Sequence, residues 1–132
     1  MGGHVVAVAA GGALGGVLRY ASLELFAAGP QAAMWLVLVE NLTGAFLLGL
    51  LIAALASLEL SVDLRPFLAT GLLGSFTTFS NSTLDVYLLQ ASGSLGTAVL
   101  YSLASLCFGL TAALLGVASG RALVSVVRRS AR

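Results

Sequence analysis

The chain has 132 residues, of which 59% are hydrophobic and only 8% are charged, and its formal net charge at pH 7 is +1. A soluble domain carries about 25% charged residues, and a chain this short cannot bury so much apolar surface within itself. This composition excludes an ordinary soluble domain. The small number of cations also argues against a nucleic-acid partner, which needs a basic face. Membrane lipid suits such a surface, so we predict an all-α protein embedded in a membrane.

Four apolar stretches are long enough to cross a bilayer, which takes about 20 helical residues. We predict a single four-helix transmembrane domain over residues 1–132, with helices at about 5–27, 34–58, 66–91 and 95–123. Turn-forming residues separate the first helix from the second at Gly29–Pro30, and the third from the fourth at residues 92–94. A charged loop precedes Pro66, a residue that suits the first turn of a helix.

The third predicted helix contains an irregularity. Gly71 and Gly74 are followed by residues 77–83, in which six of seven side chains carry a hydroxyl or an amide. Inside hydrocarbon, non-helical backbone persists only where it is buried in protein or lines water. One interpretation is a helix broken between Gly74 and Phe79, with freed carbonyls facing an ion or a cavity. The other is a continuous helix whose hydroxyl groups bond to carbonyls of the same helix.

Small and polar residues also occur within the other predicted helices. Two Gly-x-x-x-Gly pairs at residues 11–16 indicate close helix packing. Arg19 lies deep in the first helix and could extend its charged end to the interface. Asn41 could hydrogen-bond between helices. Tyr101 and Ser105 are four residues apart and therefore share one helical face.

These residues together resemble the Fluc (CrcB) family of fluoride channels. The resemblance covers all four predicted helices in order. It rests on GALGGVLRY at 12–20, NLTGAFLLG at 41–49 and GLLGSFTTFS at 71–80, followed by Tyr101, Ser105 and Gly109 at the family's spacing.

The resemblance implies a dual-topology dimer of two antiparallel subunits, with two narrow fluoride pores along the interface. It implies a central sodium ion held by the backbone carbonyls of Gly74 and Thr77, and a structural position for Arg19 at the dimer core or vestibule. The pore residues carried over by position are Asn41, Phe79, Ser80, Tyr101 and Ser105.

The chemistry of these residues suits fluoride, which is small, strongly hydrated and a good hydrogen-bond acceptor. A fixed cation in the pore would trap the ion, since conduction needs sites weak enough to release it. Neutral amide and hydroxyl donors avoid this problem, and the edge of the Phe79 ring carries partial positive charge. The sequence offers no nucleophile with an adjacent base, so we do not expect an enzyme.

The chain departs from the family pattern at several positions. Ser82 stands where the family has a second phenylalanine and Asn81 where it has a threonine, while Glu40 replaces an aliphatic residue. An ionisable group inside a membrane helix is a functional hypothesis by default. The alternative for Glu40 is an ion pair or a hydrogen-bonded carboxyl at a subunit contact.

The arginines predict the orientation of the chain in the membrane. With four helices, the N-terminus, the second loop and the C-terminus share one side, and excess arginine marks the cytoplasmic side. Both termini are therefore expected in the cytoplasm. A chain with one preferred orientation needs an oppositely oriented partner to pair antiparallel, so we expect a heterodimer with a similar chain in preference to a homodimer. The arginines on the predicted cytoplasmic side are Arg65, Arg121, Arg128, Arg129 and Arg132.

Two other functions compete with a fluoride channel subunit. One is a proton-coupled exporter of small ions, with Glu40 as the proton carrier. The other is a non-conducting structural subunit that completes the pore of a partner in a heterodimeric channel.

Overall fold

The structure is a computed structural model that describes residues 2–55 and 63–130, and all regular structure in these two ranges is helical. The predicted all-α class is therefore confirmed. The elements in chain order are α1 (Gly2–Phe26), α2 (Pro30–Leu55), a π-helix (Pro66–Leu73), α3 (Gly74–Phe76), α4 (Phe79–Ala91) and α5 (Leu95–Ser130).

Three of the described helices, α1, α2 and α5, are long and apolar enough to cross a membrane. Most of their large apolar side chains are exposed, including Leu25 at 75% and Leu106 at 69%. Such a continuous apolar surface is unfavourable in water and favourable in lipid. The apolar stretch between α2 and α5 is divided among the π-helix, α3 and α4.

The described helices extend beyond the apolar stretches from which they were predicted. Helix α2 begins at Pro30, because proline is well accommodated in the first turn of a helix. Helix α5 continues to Ser130 and carries Arg128 and Arg129 in its last turn, where cations interact favourably with the helix dipole. The predicted end of the second helix, Leu58, lies outside the described residues.

Two glycines allow the chain to reverse direction between long helices. Gly29, between α1 and α2, has a φ of 106°, and Gly93, between α4 and α5, has a φ of 79°. This left-handed region is disfavoured for residues with a Cβ atom, so glycine suits both turns.

Glycine also sets the close packing of α1 against the π-helix. A Cβ atom added at Gly11 or Gly15 would overlap the backbone carbonyls of Phe67 or Leu72, whereas one added at Gly16 would meet no atom within 4 Å. Of the two Gly-x-x-x-Gly pairs, the one at 11 and 15 therefore forms the contact within the chain.

The contact between α2 and α5 is equally close. A Cβ atom at Gly49 would overlap the carbonyl of Ala113, and one at Gly116 would overlap the carbonyl of Phe46. These helices thus approach backbone to backbone, as small residues permit in membrane proteins. Their contact holds α2 and α5 on two sides of the cavity described below.

A polar cavity at the helix break

The helical backbone is interrupted between α3 and α4. Thr77 has a ψ of 151°, and Thr78 has a φ of −144° and a ψ of 121°, so both residues are extended. Thr78 is the N-cap of α4: its Oγ1 accepts a hydrogen bond of 3.2 Å from the backbone N–H of Asn81. Threonine suits this position because its hydroxyl satisfies one of the free N–H groups that begin a helix.

Asn41 on α2 fixes the backbone of this break. Its Oδ1 accepts from the N–H of Thr78 at 2.7 Å, and its Nδ2 donates to the carbonyl of Thr78 at 2.9 Å. The same Nδ2 donates to the hydroxyl of Ser82 at 2.9 Å. Because a side-chain amide has two hydrogens and one oxygen, all of its hydrogen-bonding groups are engaged.

The break removes the helical donors of two carbonyls. In a continuous helix, the N–H of Thr78 would bond to the carbonyl of Gly74, but it donates to Asn41 instead. Likewise, the N–H of Asn81 would bond to the carbonyl of Thr77, but it donates to Thr78 Oγ1. The carbonyl groups of Gly74 and Thr77 are therefore released from the helical pattern, and both residues line the neighbouring cavity.

The cavity has a volume of about 690 Å³ and lies among α2, the break, α4 and α5. Phe79 lies at its edge, with 86% of its surface exposed. The wall is mostly apolar, with a few amide and hydroxyl groups, as is common in ligand sites. Its polar lining residues include Asn41, Thr78, Ser82, Tyr101, Ser102 and Ser105.

Tyr101 is the most deeply buried aromatic residue of this wall, with 3% of its surface exposed. Its hydroxyl is 3.3 Å from Asp85 Oδ2 and 3.4 Å from the carbonyl of Met34. Its ring makes an edge contact with Trp35 at a centroid distance of 6.3 Å. Asp85 was missed in the sequence analysis, although an acidic residue inside an apolar stretch was a signal that could have found it.

The structure brings together most of the pore residues expected from the sequence. Asn41, Phe79, Tyr101 and Ser105 all line the cavity. Ser105 donates its hydrogen to the carbonyl of Tyr101 at 2.7 Å, within its own helix. Ser80 is exposed outside the cavity lining, where its hydroxyl lies 3.1 Å from that of Thr78.

Glu40 and Arg19 lie elsewhere. Glu40 is 3% exposed and faces α1, where its carboxyl is hydrogen-bonded to the hydroxyl of Ser22. The second carboxyl oxygen of Glu40 is buried and has no hydrogen-bond partner among the described residues. Arg19 is half-buried on α1, one turn before Ser22, and neither Arg19 nor Glu40 lines the cavity.

The fold and this site define a class: an all-helical membrane protein with a largely neutral cavity beside a helix break. Comparison with known proteins then identifies the family. Residues 6–117 match the family described as CrcB-like protein, Camphor Resistance (CrcB), and the chain belongs to it. The resemblance noted from the sequence motifs is thus confirmed.

Similar proteins come from several bacteria. A protein of Agrobacterium fabrum is 44% identical over 123 residues, covering 89% of this chain and 96% of its own length. A protein of Thermus thermophilus is 44% identical over 119 residues, covering 89% and 93%, respectively. One of Rhizobium meliloti is 41% identical over 123 residues, covering 92% and 98%. Each is named fluoride-specific ion channel FluC.

Proposed function

We propose that this chain is a subunit of a fluoride-specific ion channel, which releases cytoplasmic fluoride passively and so reduces its toxicity. The observation that carries this proposal is the 44% identity, over 89% of the chain, to a protein named fluoride-specific ion channel FluC. The channel needs no enzymatic step. The ion moves down its own gradient through the cavity at the helix break.

The chemistry of the cavity supports this function. None of the side chains that line it among the described residues is basic or acidic. Neutral donors can replace part of the hydration shell of fluoride without holding the ion too tightly to release it. Phe79 lines the same cavity, and the edge of an aromatic ring carries a weak positive potential. A pore of this kind favours a small, strong hydrogen-bond acceptor over larger halides.

We also propose that a structural sodium ion binds at the break, held by the carbonyls of Gly74 and Thr77 from two subunits. Both carbonyls have lost their helical donors, because Asn41 and the Thr78 hydroxyl take the two N–H groups concerned. Such oxygen atoms are suitable ligands for a hard cation.

Thr77→Val is expected to retain sodium binding. The proposed ligand is the backbone carbonyl of Thr77, which this substitution keeps, whereas the hydroxyl that it removes donates to the carbonyl of Leu73 at 2.9 Å. The measurement is the rise in unfolding temperature when sodium replaces a large organic cation. Thr77→Ser is the matched control because it keeps the hydroxyl. Loss of the sodium effect in the valine variant alone would show that the hydroxyl is a ligand, against the proposal.

The partner is expected to be a second, antiparallel subunit. In a single copy the cavity is open and Phe79 is exposed at its edge, so a second chain can complete the pore.

His4 Nδ1 lies 3.2 Å from Asp63 Oδ1, which places the start of α1 beside the segment that precedes the π-helix. Arg65 is near this end, and the last turn of α5 carries Arg128 and Arg129.

Because arginines mark the cytoplasmic side, both termini are proposed to be cytoplasmic. A chain with one preferred orientation pairs antiparallel most readily with a similar chain of opposite charge bias. We therefore favour a heterodimer over a homodimer. Arg19, half-buried on α1, is assigned a structural position near the subunit contact.

Vesicles that contain the channel are expected to release fluoride without an imposed pH gradient and to retain chloride. A fluoride electrode measures the efflux, and empty vesicles are the control. Vesicles with this chain alone are compared with vesicles that also contain a family member of opposite charge bias. Efflux is expected only from the pair.

Two outcomes would contradict parts of this proposal. Efflux from vesicles with this chain alone, together with C-terminal tags on both faces of the membrane of cells that express it, would establish a homodimer. Efflux that requires a proton gradient and is lost in Glu40→Gln would indicate a proton-coupled exporter. The exporter is not favoured, because Glu40 faces Ser22 on α1 and does not line the cavity.

A further inference from the structure

The hydrogen-bond pairs at the helix break indicate which group is available to an anion. Asn41 donates one Nδ2 hydrogen to the carbonyl of Thr78 and the other to Ser82, both at 2.9 Å. Its oxygen accepts from the N–H of Thr78 at 2.7 Å. An anion could bind the Asn41 amide only by breaking one of these bonds and so loosening the break.

Ser82, unlike Asn41, has a hydrogen-bond donor that is weakly engaged. Its oxygen accepts from Asn41, which leaves its single hydrogen free to be donated. Among the described residues the hydroxyl oxygen of Tyr101 lies within reach of this hydrogen, and the acceptor with full hydrogen-bond geometry is the carbonyl of Thr78, at 3.3 Å. That bond is long for an O–H donor, and the carbonyl already accepts from Asn41 at 2.9 Å. The Ser82 hydroxyl can therefore exchange this hydrogen bond for one to a better acceptor at little cost in free energy.

Ser82 lies in the wall of the cavity, where an anion can approach its hydroxyl. Ser82 lines the cavity together with Phe79, which is one turn away across the start of α4. The hydroxyl of Tyr101 lies beside it. A hydrogen bond received from the Asn41 amide also makes the Ser82 hydroxyl a stronger donor, because chains of hydrogen bonds polarise one another.

We infer that the Ser82 hydroxyl is the fluoride donor at the helix break, and that Asn41 is a positioning residue that orients this hydroxyl. The inference rests on the proposed function and refines it, since it assigns anion binding to a residue that the sequence analysis left out of the pore. Ser82 then supplies a polar contact to the ion where the family pattern has an aromatic ring.

Ser82→Ala tests this assignment in the assembly that conducts fluoride. Fluoride efflux is expected to fall about tenfold or more, the change expected on losing one hydrogen bond to a charged group. The rise in unfolding temperature on adding sodium fluoride in place of sodium chloride is expected to shrink as well. Ser82→Thr, which keeps the hydroxyl, should restore both.

The matched control is Ser125→Ala, the same chemical change outside the cavity. The Ser125 hydroxyl donates its hydrogen to the carbonyl of Ala122 at 2.7 Å within its own helix. This variant is expected to keep wild-type efflux and the wild-type fluoride shift.

Wild-type efflux and an unchanged fluoride shift in Ser82→Ala would overturn the inference and leave the proposed function intact. Equal loss in the alanine and threonine variants would also overturn it, because the hydroxyl would then not be the determining group. Absence of fluoride efflux from the unaltered channel would instead contradict the proposed function itself.

Discussion

Asn41→Ala is expected to remove nearly all fluoride efflux and to lower the unfolding temperature. The variant loses three hydrogen bonds at the break, two to the backbone of Thr78 and one to Ser82. A buried N–H left without a partner costs about 1–3 kcal/mol, and the extended Thr77–Thr78 backbone loses its main support. Thermal unfolding in detergent and efflux from vesicles measure the two effects.

Asn81→Ala is the matched control, because it removes the same side-chain amide from a residue close to the break, in the first turn of α4. The side chain of Asn81 makes no hydrogen bond with the described residues; only its backbone N–H bonds, to Thr78. This variant is expected to retain most of the stability and efflux. Similar losses in both variants would show that Asn41 has no special role in holding the break.

Gly116→Ala is expected to destabilise the packing of α2 against α5. A Cβ atom at this position would overlap the carbonyl of Phe46 and approach the backbone N of Leu50. Backbone atoms cannot rotate away as side chains can, so the two helices must separate. Overpacking of this kind costs about 1–3 kcal/mol, and efflux should fall because both helices line the cavity.

Gly109→Ala on the same helix separates this packing effect from helix propensity. A Cβ atom at Gly109 meets no atom within 4 Å. Both substitutions gain about 1 kcal/mol of helix propensity, so the difference in unfolding temperature reports the contact with α2 alone. Equal unfolding temperatures would contradict the close backbone contact at Gly116.

The sequence by itself determined the class of protein and its family. With 59% hydrophobic and 8% charged residues, the chain exposes more apolar surface than water can solvate favourably, so its composition predicts lipid-facing helices. The block at 71–80 and the motif that begins at Asn41 were specific enough to indicate the family. These are local patterns, readable without knowing which helices touch.

Only the tertiary structure decided what the polar residues of the site contact. Glu40 and Asn41 are neighbours in sequence, but adjacent helical residues point about 100° apart, so one faces Ser22 on α1 and the other the break. Sequence suggested that the Asn41 amide would face an ion, whereas its hydrogens are taken by Thr78 and Ser82.

The contacts of the glycines and of Asp85 were likewise decided only by the tertiary structure. Sequence showed two Gly-x-x-x-Gly pairs of equal quality, and only the placement of the π-helix made Gly11 and Gly15 the pair in contact. Asp85 lies beside Tyr101 because α4 packs against α5 after the turn at Gly93. Such contacts join residues far apart in the chain, and they depend on how whole helices cross, which no local pattern encodes.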